Sequence, residues 1–432
     1  MNKNDIDLSI DFCGVNFKNP FLLSSSPVSN SAEMVARSFD AGWSGVVFKT
    51  LNSDTVPIIH PSPRMHGYDY GRKKLVGLQN VEMISDRPLK DNLADFLYLK
   101  KKYPGHVLIS SIMGFSNDEW AYLAKASEDN GADMLELNFS CPHMSVEGAG
   151  HHVGKAFDLI EKFTTTVKEC VSIPVIAKMT PNITDMTEPA IYAKNGGADA
   201  ISAINTVSGI SGIDLDAIVP TPNVFGLSSN SGTSGPVIKP IGLRFISDMA
   251  KCDELSLPLS GIGGIETWID ALEYILLGSS TIQVTTGIIH YGYDIVEDMI
   301  EGLTDFMVDK KIAKLSDLVG KALNNLQTTD QFDLKRQGCS VYDLEKCVGC
   351  GQCYTVCKDA GGFALEWDEK KRQPVLSEDK CLSCMICSFV CPVKDLITFK
   401  EMPANWKRED AIVMDESLKT KIKYQPFKNF IG

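Results

Sequence analysis

The sequence predicts an α/β protein in which a closed barrel of eight parallel strands is followed by a small α+β domain. Three observations carry this prediction. Short apolar runs recur eight times before residue 290, most of the gaps between them show amphipathic helical periodicity, and eight of the thirteen cysteines fall between Cys347 and Cys391. Buried strands that alternate with amphipathic helices are typical of a parallel sheet covered by helices.

The barrel interpretation rests on the number and spacing of the apolar runs. They occupy residues 20–26, 45–50, 107–113, 134–141, 174–180, 200–206, 257–264 and 281–287, and helical patterns occupy residues 31–41, 86–103, 118–131, 154–171 and 241–251. Eight such units in about 290 residues suit a (β/α)8 TIM barrel. Alternating residues at 8–12 and 15–17 predict an N-terminal hairpin. The alternative is an open doubly wound sheet, but Gly261-Ile262-Gly263-Gly264 has the wrong spacing for its glycine-rich turn.

Composition excludes several classes of partner. The 432 residues carry a net charge of −13, which disfavours non-specific binding to nucleic acid or to an anionic membrane. No apolar run reaches the ~18 residues that span a bilayer. The first residues lack the apolar core of a signal peptide, so a cytoplasmic location is expected.

Polar and small residues follow the predicted strands. The carboxyl ends of parallel barrel strands meet at one face, where active sites form. The last two strands end in Gly263-Gly264 and in Thr285-Thr286-Gly287. Glycine allows backbone N–H groups to approach an anion, so these ends predict a phosphate site; the alternative is tight loop geometry alone.

Two lysines also stand at strand ends. Lys49 and Lys178 each end an apolar run, where a charge is costly without an anionic partner. They predict either contacts to an anionic cofactor or structural ion pairs. The stretch 207–239, which follows the sixth apolar run, is rich in Gly, Ser, Asn and Pro. It predicts a long functional loop that caps the site.

The run at 134–141 ends in the side chains most suited to acid–base chemistry. Asn138, Ser140 and Cys141 close this strand, and a glycine-containing polar loop after Cys141 predicts a mobile lid. Cys141 is a candidate acid–base group; the alternative is an inert buried thiol. His151 and His152 in that loop favour solvated residues over a metal site.

The cysteine-dense segment predicts two [4Fe–4S] clusters. The spacing C-x2-C-x2-C-x3-C occurs twice, and in the bacterial ferredoxin arrangement the fourth cysteine of each run serves the other cluster. One cluster is then held by Cys347, Cys350, Cys353 and Cys391, and the other by Cys381, Cys384, Cys387 and Cys357. A doubled zinc ribbon is the alternative.

A phosphate site in a barrel joined to a one-electron relay calls for a redox cofactor that exchanges both one and two electrons. A flavin does this, and FMN carries a single phosphate. The chain shows no nicotinamide fingerprint, which predicts that electrons arrive from another protein.

Several motifs together resemble one family. They are Phe139-Ser140-Cys141-Pro142-His143, Ala177-Lys178-Met179-Thr180-Pro181-Asn182, Ile204-Asn205-Thr206, Ser260-Gly261-Ile262-Gly263-Gly264-Ile265-Glu266-Thr267-Trp268 and the two cysteine runs. Along nearly the whole chain to about residue 400 the sequence resembles the iron–sulfur-containing dihydropyrimidine dehydrogenases. These belong with the class 1 dihydroorotate dehydrogenases, which share the FMN barrel.

The resemblance implies an NAD-dependent oxidoreductase that reversibly reduces the 5,6 double bond of uracil or thymine, a step of pyrimidine catabolism. Hydride would pass between flavin N5 and pyrimidine C6, and Cys141 would exchange a proton with C5. The pyrimidine binders implied are Asn80, Glu82, Asn138, Ser140, Asn205 and Thr206. The FMN contacts implied are Ser24, Ser25, Lys49, Thr50, Lys178, Gly235, Gly263, Gly264, Thr285, Thr286 and Gly287.

The resemblance also implies a partner. An FAD- and NAD(P)H-binding electron-transfer subunit would complete a hetero-oligomer. We expect a catalytic barrel at 1–310, a linker at 311–337, a ferredoxin-like domain at 338–400 and a tail at 401–432. Two other functions remain open: a dihydroorotate dehydrogenase-like enzyme with a fused relay, and an electron-transfer subunit without pyrimidine turnover.

Overall fold

The computed structural model describes residues 1–69, 75–139 and 153–406. The chain divides into two compact units, Met1–Leu326 and Gln327–Gly432, and this boundary falls inside the stretch predicted as a linker. Among the residues described, no helix is long and apolar enough to cross a membrane.

The strands and helices are numbered along the chain. The strands are β1 (Ile10–Phe12), β2 (Val15–Phe17), β3 (Phe21–Leu23), β4 (Gly45–Val47), β5 (Met65–Asp69), β6 (Leu75–Asn80), β7 (Val107–Ile112), β8 (Met134–Asn138), β9 (Val175–Lys178), β10 (Ala200–Ala203), β11 (Val207–Gly209), β12 (Ile213–Asp214), β13 (Val219–Pro220), β14 (Ser231–Ser234), β15 (Leu259–Ile262), β16 (Ser279–Val284), β17 (Gly338–Tyr342), β18 (Leu365–Asp368), β19 (Gln373–Leu376) and β20 (Ile397–Glu401). The α-helices are α1 (Ala32–Ala41), α2 (Leu89–Lys102), α3 (Asn117–Asp129), α4 (Phe157–Lys168), α5 (Thr187–Asn195), α6 (Lys239–Ala250), α7 (Trp268–Leu276), α8 (Thr286–Tyr291), α9 (Ile295–Lys310), α10 (Gln352–Ala360) and α11 (Ile386–Phe389).

Eight strands of the first unit form a closed parallel barrel, in the order β10-β15-β16-β3-β4-β7-β8-β9. Each of the eight predicted apolar runs contributes one of these strands, so the barrel prediction is confirmed. The strands form because their side chains are buried on both faces: all six residues of β7 and all five of β8 are buried. The register places Asn138 beside Lys178 and Lys178 beside Ser202, at one level of the barrel.

The N-terminal hairpin is also confirmed. β1 and β2 pair in antiparallel register, and the buried rings of Phe12 and Phe17 meet edge to face. The Phe17 ring packs against Gly45, the first residue of β4. The hairpin therefore covers the amino-terminal end of the barrel and leaves the carboxyl-terminal end for chemistry.

A second sheet stands where the sequence predicts loops. Four antiparallel strands lie in the order β11-β14-β6-β5, and the stretch 207–239 holds two of them together with the small β12–β13 hairpin. The amide of Gln79 binds this sheet together, since its Nε2 donates to the carbonyls of Gly209 and Ser231 at 2.6 and 2.8 Å. Part of the expected long loop at 207–239 forms strands instead, because polar, glycine-rich strands held by such bonds lack the usual apolar alternation in the sequence.

The second unit has the predicted small α+β architecture. β17 pairs with β20 and β18 with β19, and α10 and α11 pack between them. Its core is small and consists largely of cysteine and aliphatic side chains, among them Cys353, Cys387, Leu365, Leu396 and Ile397. A core of this size is typical of a domain that a metal centre stabilises.

Candidate active site and cysteine cavities

One cavity lies at the carboxyl-terminal end of the barrel. It encloses about 1050 Å³ of space, which includes open solvent at its mouth. Among the sequence-predicted residues, those that line it are Ser24, Ser25, Lys49, Thr50, Asn80, Glu82, Asn138, Lys178, Asn205, Thr206, Gly235, Gly263, Gly264, Thr285 and Thr286. Ser140 and Cys141 lie outside the described residues.

Gly287 does not line the cavity. It lies buried in the first turn of α8, where an added Cβ would stand 2.7 Å from the carbonyl oxygen of Ile265. Its immediate effect is therefore to let α8 pack closely against the segment that follows β15.

Lys49 forms a buried ion pair with Glu82. Their atoms Nζ and Oε1 are 2.6 Å apart, and both side chains are less than 10% exposed. The second oxygen of Glu82 faces Arg64 Nη1 at 3.3 Å and His60 Nδ1 at 3.8 Å. Lys49 and Arg64 thus both compensate the carboxylate, and His60 lies beside it.

His60 is neutral in this cluster. Burial lowers the pKa of its imidazole, an effect that Glu82 opposes and Lys49 and Arg64 reinforce. The backbone N–H of Met83 donates to His60 Nδ1 at 3.3 Å, so that nitrogen is the acceptor and the ring proton resides on Nε2. Neither His60 nor Arg64 belongs to a recognisable motif, and sequence reasoning missed both.

Lys178 is paired with Glu136 inside the barrel. Its Nζ donates to Glu136 Oε1 at 3.1 Å, and Oε2 accepts from Ser202 Oγ at 2.8 Å and from Gln283 Nε2 at 2.9 Å. Gln283 stands on β16, across the barrel from β8, so the Glu136 carboxylate bridges opposite walls. The sequence did hold a signal for this residue: a glutamate in the middle of an apolar strand is rarely buried without a partner.

The Glu136 carboxylate also fixes the orientation of the Gln283 amide. A carboxylate only accepts hydrogen bonds, so the NH2 group must face it. Nε2 donates to Ser260 Oγ as well, at 3.2 Å. The opposite atom, Oε1, is buried without a protein partner in the described chain, and Gln283 lines the cavity.

Hydroxyl groups and one amide connect β3, β4, β7 and β8 near their carboxyl ends. Thr50 Oγ1 lies 3.0 Å from Ser25 Oγ and 2.8 Å from Ser111 Oγ, and it accepts from Asn138 Nδ2 at 3.0 Å. These contacts fix the Asn138 amide beside the cavity.

The covering sheet positions the remaining amides. Asn80 Nδ2 donates to the carbonyl of Gly232 at 2.9 Å, and its Oδ1 accepts from the N–H of Glu82 at 3.3 Å. Asn182 Nδ2 donates to the Thr206 carbonyl at 3.3 Å. The polar side chains of the cover are held as firmly as those of the barrel.

The glycine-containing ends meet closely. Gly235, Gly263 and Gly264 have φ values of 91°, 122° and 71°, which favour glycine. A Cβ on Gly264 would stand 2.9 Å from the Gly235 carbonyl oxygen. Thr286 Oγ1 donates to Ser234 Oγ at 3.0 Å beside them. Backbone and hydroxyl groups that line the cavity in this corner suit an anion such as phosphate.

Two small cavities of the second unit are each lined by four cysteines. One is lined by Cys357, Cys381, Cys384 and Cys387, and the other by Cys347, Cys350, Cys353 and Cys391. These groups are the two crossed ligand sets expected from the spacing. Each set therefore meets the first requirement for holding a cubane cluster.

A single-ion site fits less well. Within residues 1–69, 75–139 and 153–406, no three Cys, His, Asp or Glu side chains converge closely enough to hold one metal ion. Zinc requires four ligands at about 2.0–2.3 Å from one centre, whereas a cubane spreads its cysteines around a larger core. The arrangement thus favours iron–sulfur clusters over the doubled zinc ribbon.

Two families match the chain. The family described as dihydroorotate dehydrogenase matches residues 7–307, and the family described as 4Fe-4S dicluster domain matches residues 340–399. The resemblance that the motifs indicated is confirmed by these matches.

Curated relatives extend over most of the sequence. NAD-dependent dihydropyrimidine dehydrogenase subunit PreA of Escherichia coli K12 is 49% identical over 388 residues, covering 90% of this chain and 94% of that protein. The chloroplastic dihydropyrimidine dehydrogenase (NADP(+)) of Arabidopsis thaliana is 38% identical over 346 residues, 78% of this chain and 81% of that one. The catalytic subunit of dihydroorotate dehydrogenase B (NAD(+)) of Pyrococcus abyssi is 35% identical over 317 residues, 73% and 99% of the two chains. The chain is therefore an oxidoreductase that belongs to the dihydroorotate dehydrogenase family and carries a 4Fe-4S dicluster domain.

Proposed function

We propose that this protein is the catalytic subunit of an NAD-dependent dihydropyrimidine dehydrogenase. It would reversibly reduce uracil or thymine to the 5,6-dihydro compound, with FMN in the barrel cavity and two [4Fe–4S] clusters in the second unit. The observation that carries the proposal is that one cavity combines the glycine–threonine corner with amides and hydroxyls from the barrel and its cover. The high identity to PreA supports the same activity.

FMN fits the residues present. Gly235, Gly263, Gly264, Thr285 and Thr286 would hold its phosphate, and Lys178 would lie near the N1–C2 edge of its ring. Bound FMN would supply hydride transfer and the exchange between two-electron and one-electron steps.

The pyrimidine would be bound by Asn80, Asn138, Asn205 and Thr206, with Glu82 behind them and Ser140 beside them. Amides and hydroxyls match the alternating donors and acceptors of a uracil ring. Cys141 would donate a proton to C5 during reduction and remove it during oxidation. The reference pKa of a thiol, ~8.5, keeps it protonated near neutral pH for the reductive step.

Charge compensation favours a neutral substrate over dihydroorotate. The cations that line the cavity within the described chain, Lys49 and Lys178, are already paired with Glu82 and Glu136. A substrate carboxylate would have to share these cations or remain poorly compensated. Turnover of dihydrouracil compared with dihydroorotate separates the two substrates.

Electrons would reach the clusters from an FAD- and NAD(P)H-binding partner subunit in a hetero-oligomer. Relatives named as subunits support this assembly. Copurification of a flavoprotein partner that confers NADH- or NADPH-dependent uracil reduction would test it.

The decisive experiment is Cys141→Ala, with Cys170→Ala as the matched control. Cys170 is a half-buried thiol whose Sγ donates to the Thr166 carbonyl, away from the cavity lining. Both variants should keep their flavin and iron, while only Cys141→Ala should lose pyrimidine turnover, by ~10²-fold or more. Unchanged turnover would remove Cys141 from the mechanism. Bound flavin that uracil cannot reoxidise in the wild type would favour an electron-transfer subunit instead.

A further inference from the structure

The two cysteine cavities differ in polarity. Ser340 and Tyr342 line the cavity of Cys357, Cys381, Cys384 and Cys387. The other cavity is lined, besides its cysteines, by Gly351 and by Val348, Trp367, Pro374, Val393, Leu396 and Ile397, so no hydroxyl group of the described chain borders it. The two ligand sets thus meet different environments within one small unit.

The Ser340 hydroxyl reaches a cysteine sulfur directly. Ser340 Oγ lies 3.7 Å from Cys381 Sγ and 3.4 Å from the hydroxyl oxygen of Tyr342. Tyr342 lines this cavity together with Cys387 and extends the hydroxyl pair beside the sulfurs. Ser340 and Tyr342 are alternate residues of β17 and therefore face the same side, and pairing of β17 with β20 fixes their position.

Hydrogen bonds to cluster sulfurs change the reduction potential. Reduction adds an electron whose charge spreads onto the thiolate ligands, and a donor stabilises the more negative state more strongly. A cluster whose ligands accept such bonds is therefore easier to reduce than one whose ligands lie among aliphatic groups.

We propose that Ser340 and Tyr342 raise the reduction potential of the cluster held by Cys357, Cys381, Cys384 and Cys387 above that of its neighbour. An electron shared by the two clusters then resides mainly on this one, which gives the relay a preferred direction. The proposal depends on the two-cluster part of the proposed function and not on the identity of the substrate.

The test is an anaerobic redox titration of the purified protein, followed by electron paramagnetic resonance, for Ser340→Ala, Tyr342→Phe and the double variant. Each hydrogen bond removed should lower one of the two midpoint potentials by about 59 mV. This shift corresponds to a tenfold change in the equilibrium constant of a one-electron reduction. The second midpoint should stay in place and act as an internal control. Cys357→Ser, which removes a ligand of the affected cluster, should abolish the midpoint that moves.

Tyr354→Phe is the matched control. Tyr354 packs beside Trp367, with ring centroids 6.2 Å apart, and is not among the residues that line either cavity. Its hydroxyl should be removable without moving the same midpoint.

Three results would overturn the inference: unchanged midpoints in the double variant, equal shifts of both midpoints, or loss of the unmoved midpoint in Cys357→Ser. If Tyr342→Phe loses iron, Ser340→Ala alone still decides, because it leaves the tyrosine ring in place. A wild-type protein with fewer than two clusters would instead contradict the proposed function, so the two failures are distinguishable.

Discussion

Substitution of Glu136 by methionine tests the barrel interior most directly. Glu136 is fully buried, and its carboxylate accepts from Lys178, Ser202 and Gln283. Methionine has a similar size but no acceptor. The variant therefore leaves the Lys178 ammonium buried without its partner and deprives two neutral donors of theirs.

The expected loss is large relative to the stability of a domain. Breaking a buried ion pair from one side costs about 3–5 kcal/mol, and each orphaned neutral donor adds about 1–3 kcal/mol. These contributions overlap because the groups share one carboxylate. We therefore expect the free energy of unfolding to fall by at least about 4 kcal/mol, against about 5–15 kcal/mol in total.

The double variant Glu136→Met/Lys178→Met separates charge from packing. Two apolar side chains in place of a buried ion pair are often tolerated, so the double variant should be more stable than Glu136→Met alone. Urea unfolding followed by the fluorescence of the buried Trp43 and Trp120 measures both. Lys125→Met is the control, because its exposed pair with Asp129 contributes less than about 1 kcal/mol. The reasoning would be refuted if Glu136→Met lowered the free energy of unfolding no more than Lys125→Met does. It would also be refuted if the double variant were less stable than Glu136→Met.

Two further predictions concern the corner that would hold phosphate and the His60 cluster. Gly264→Ala places a methyl group against the Gly235 carbonyl at a positive φ, so the purified variant should retain about tenfold less FMN. Gly226→Ala is the control for backbone strain, because Gly226 has a similar φ but an added methyl group would meet no neighbour. Equal FMN retention in the two variants would contradict the role of the corner. Burial lowers the pKa of folded His60 below its unfolded value of ~6.5, so its contribution to stability is complete above about pH 6.5 and declines as the pH falls through that value toward the folded pKa. Urea midpoints at pH 7.5 and 5.5 should differ less in His60→Gln than in the wild type or in the exposed His66→Gln, and identical differences in all three would contradict it.

The barrel could be predicted because each of its strands is buried on both faces, which leaves a near-continuous apolar run in the sequence. The cavity residues at strand ends, such as Lys49, Lys178 and Gly263, could be predicted because parallel strands end at one face, whereas Asn80, Glu82 and Gly235 followed only from the family resemblance. The covering sheet could not be predicted, since Gln79 and neighbouring glycines and serines hold it through hydrogen bonds that leave no periodic pattern. Arg64 and His60 were missed for a related reason: only the fold brings them to Glu82.

For the two lysines, the two interpretations of the sequence, structural ion pairs or contacts to a ligand, do not exclude each other. Lys49 and Lys178 were expected either to pair with carboxylates or to serve a ligand, and both form buried pairs while lining the cavity. The carboxylate partner offsets the cost of burying each lysine, so that both can line the cavity. Because each lysine has a carboxylate partner, a cavity built this way can offer N–H donors to a ligand while the charge of its wall is largely compensated.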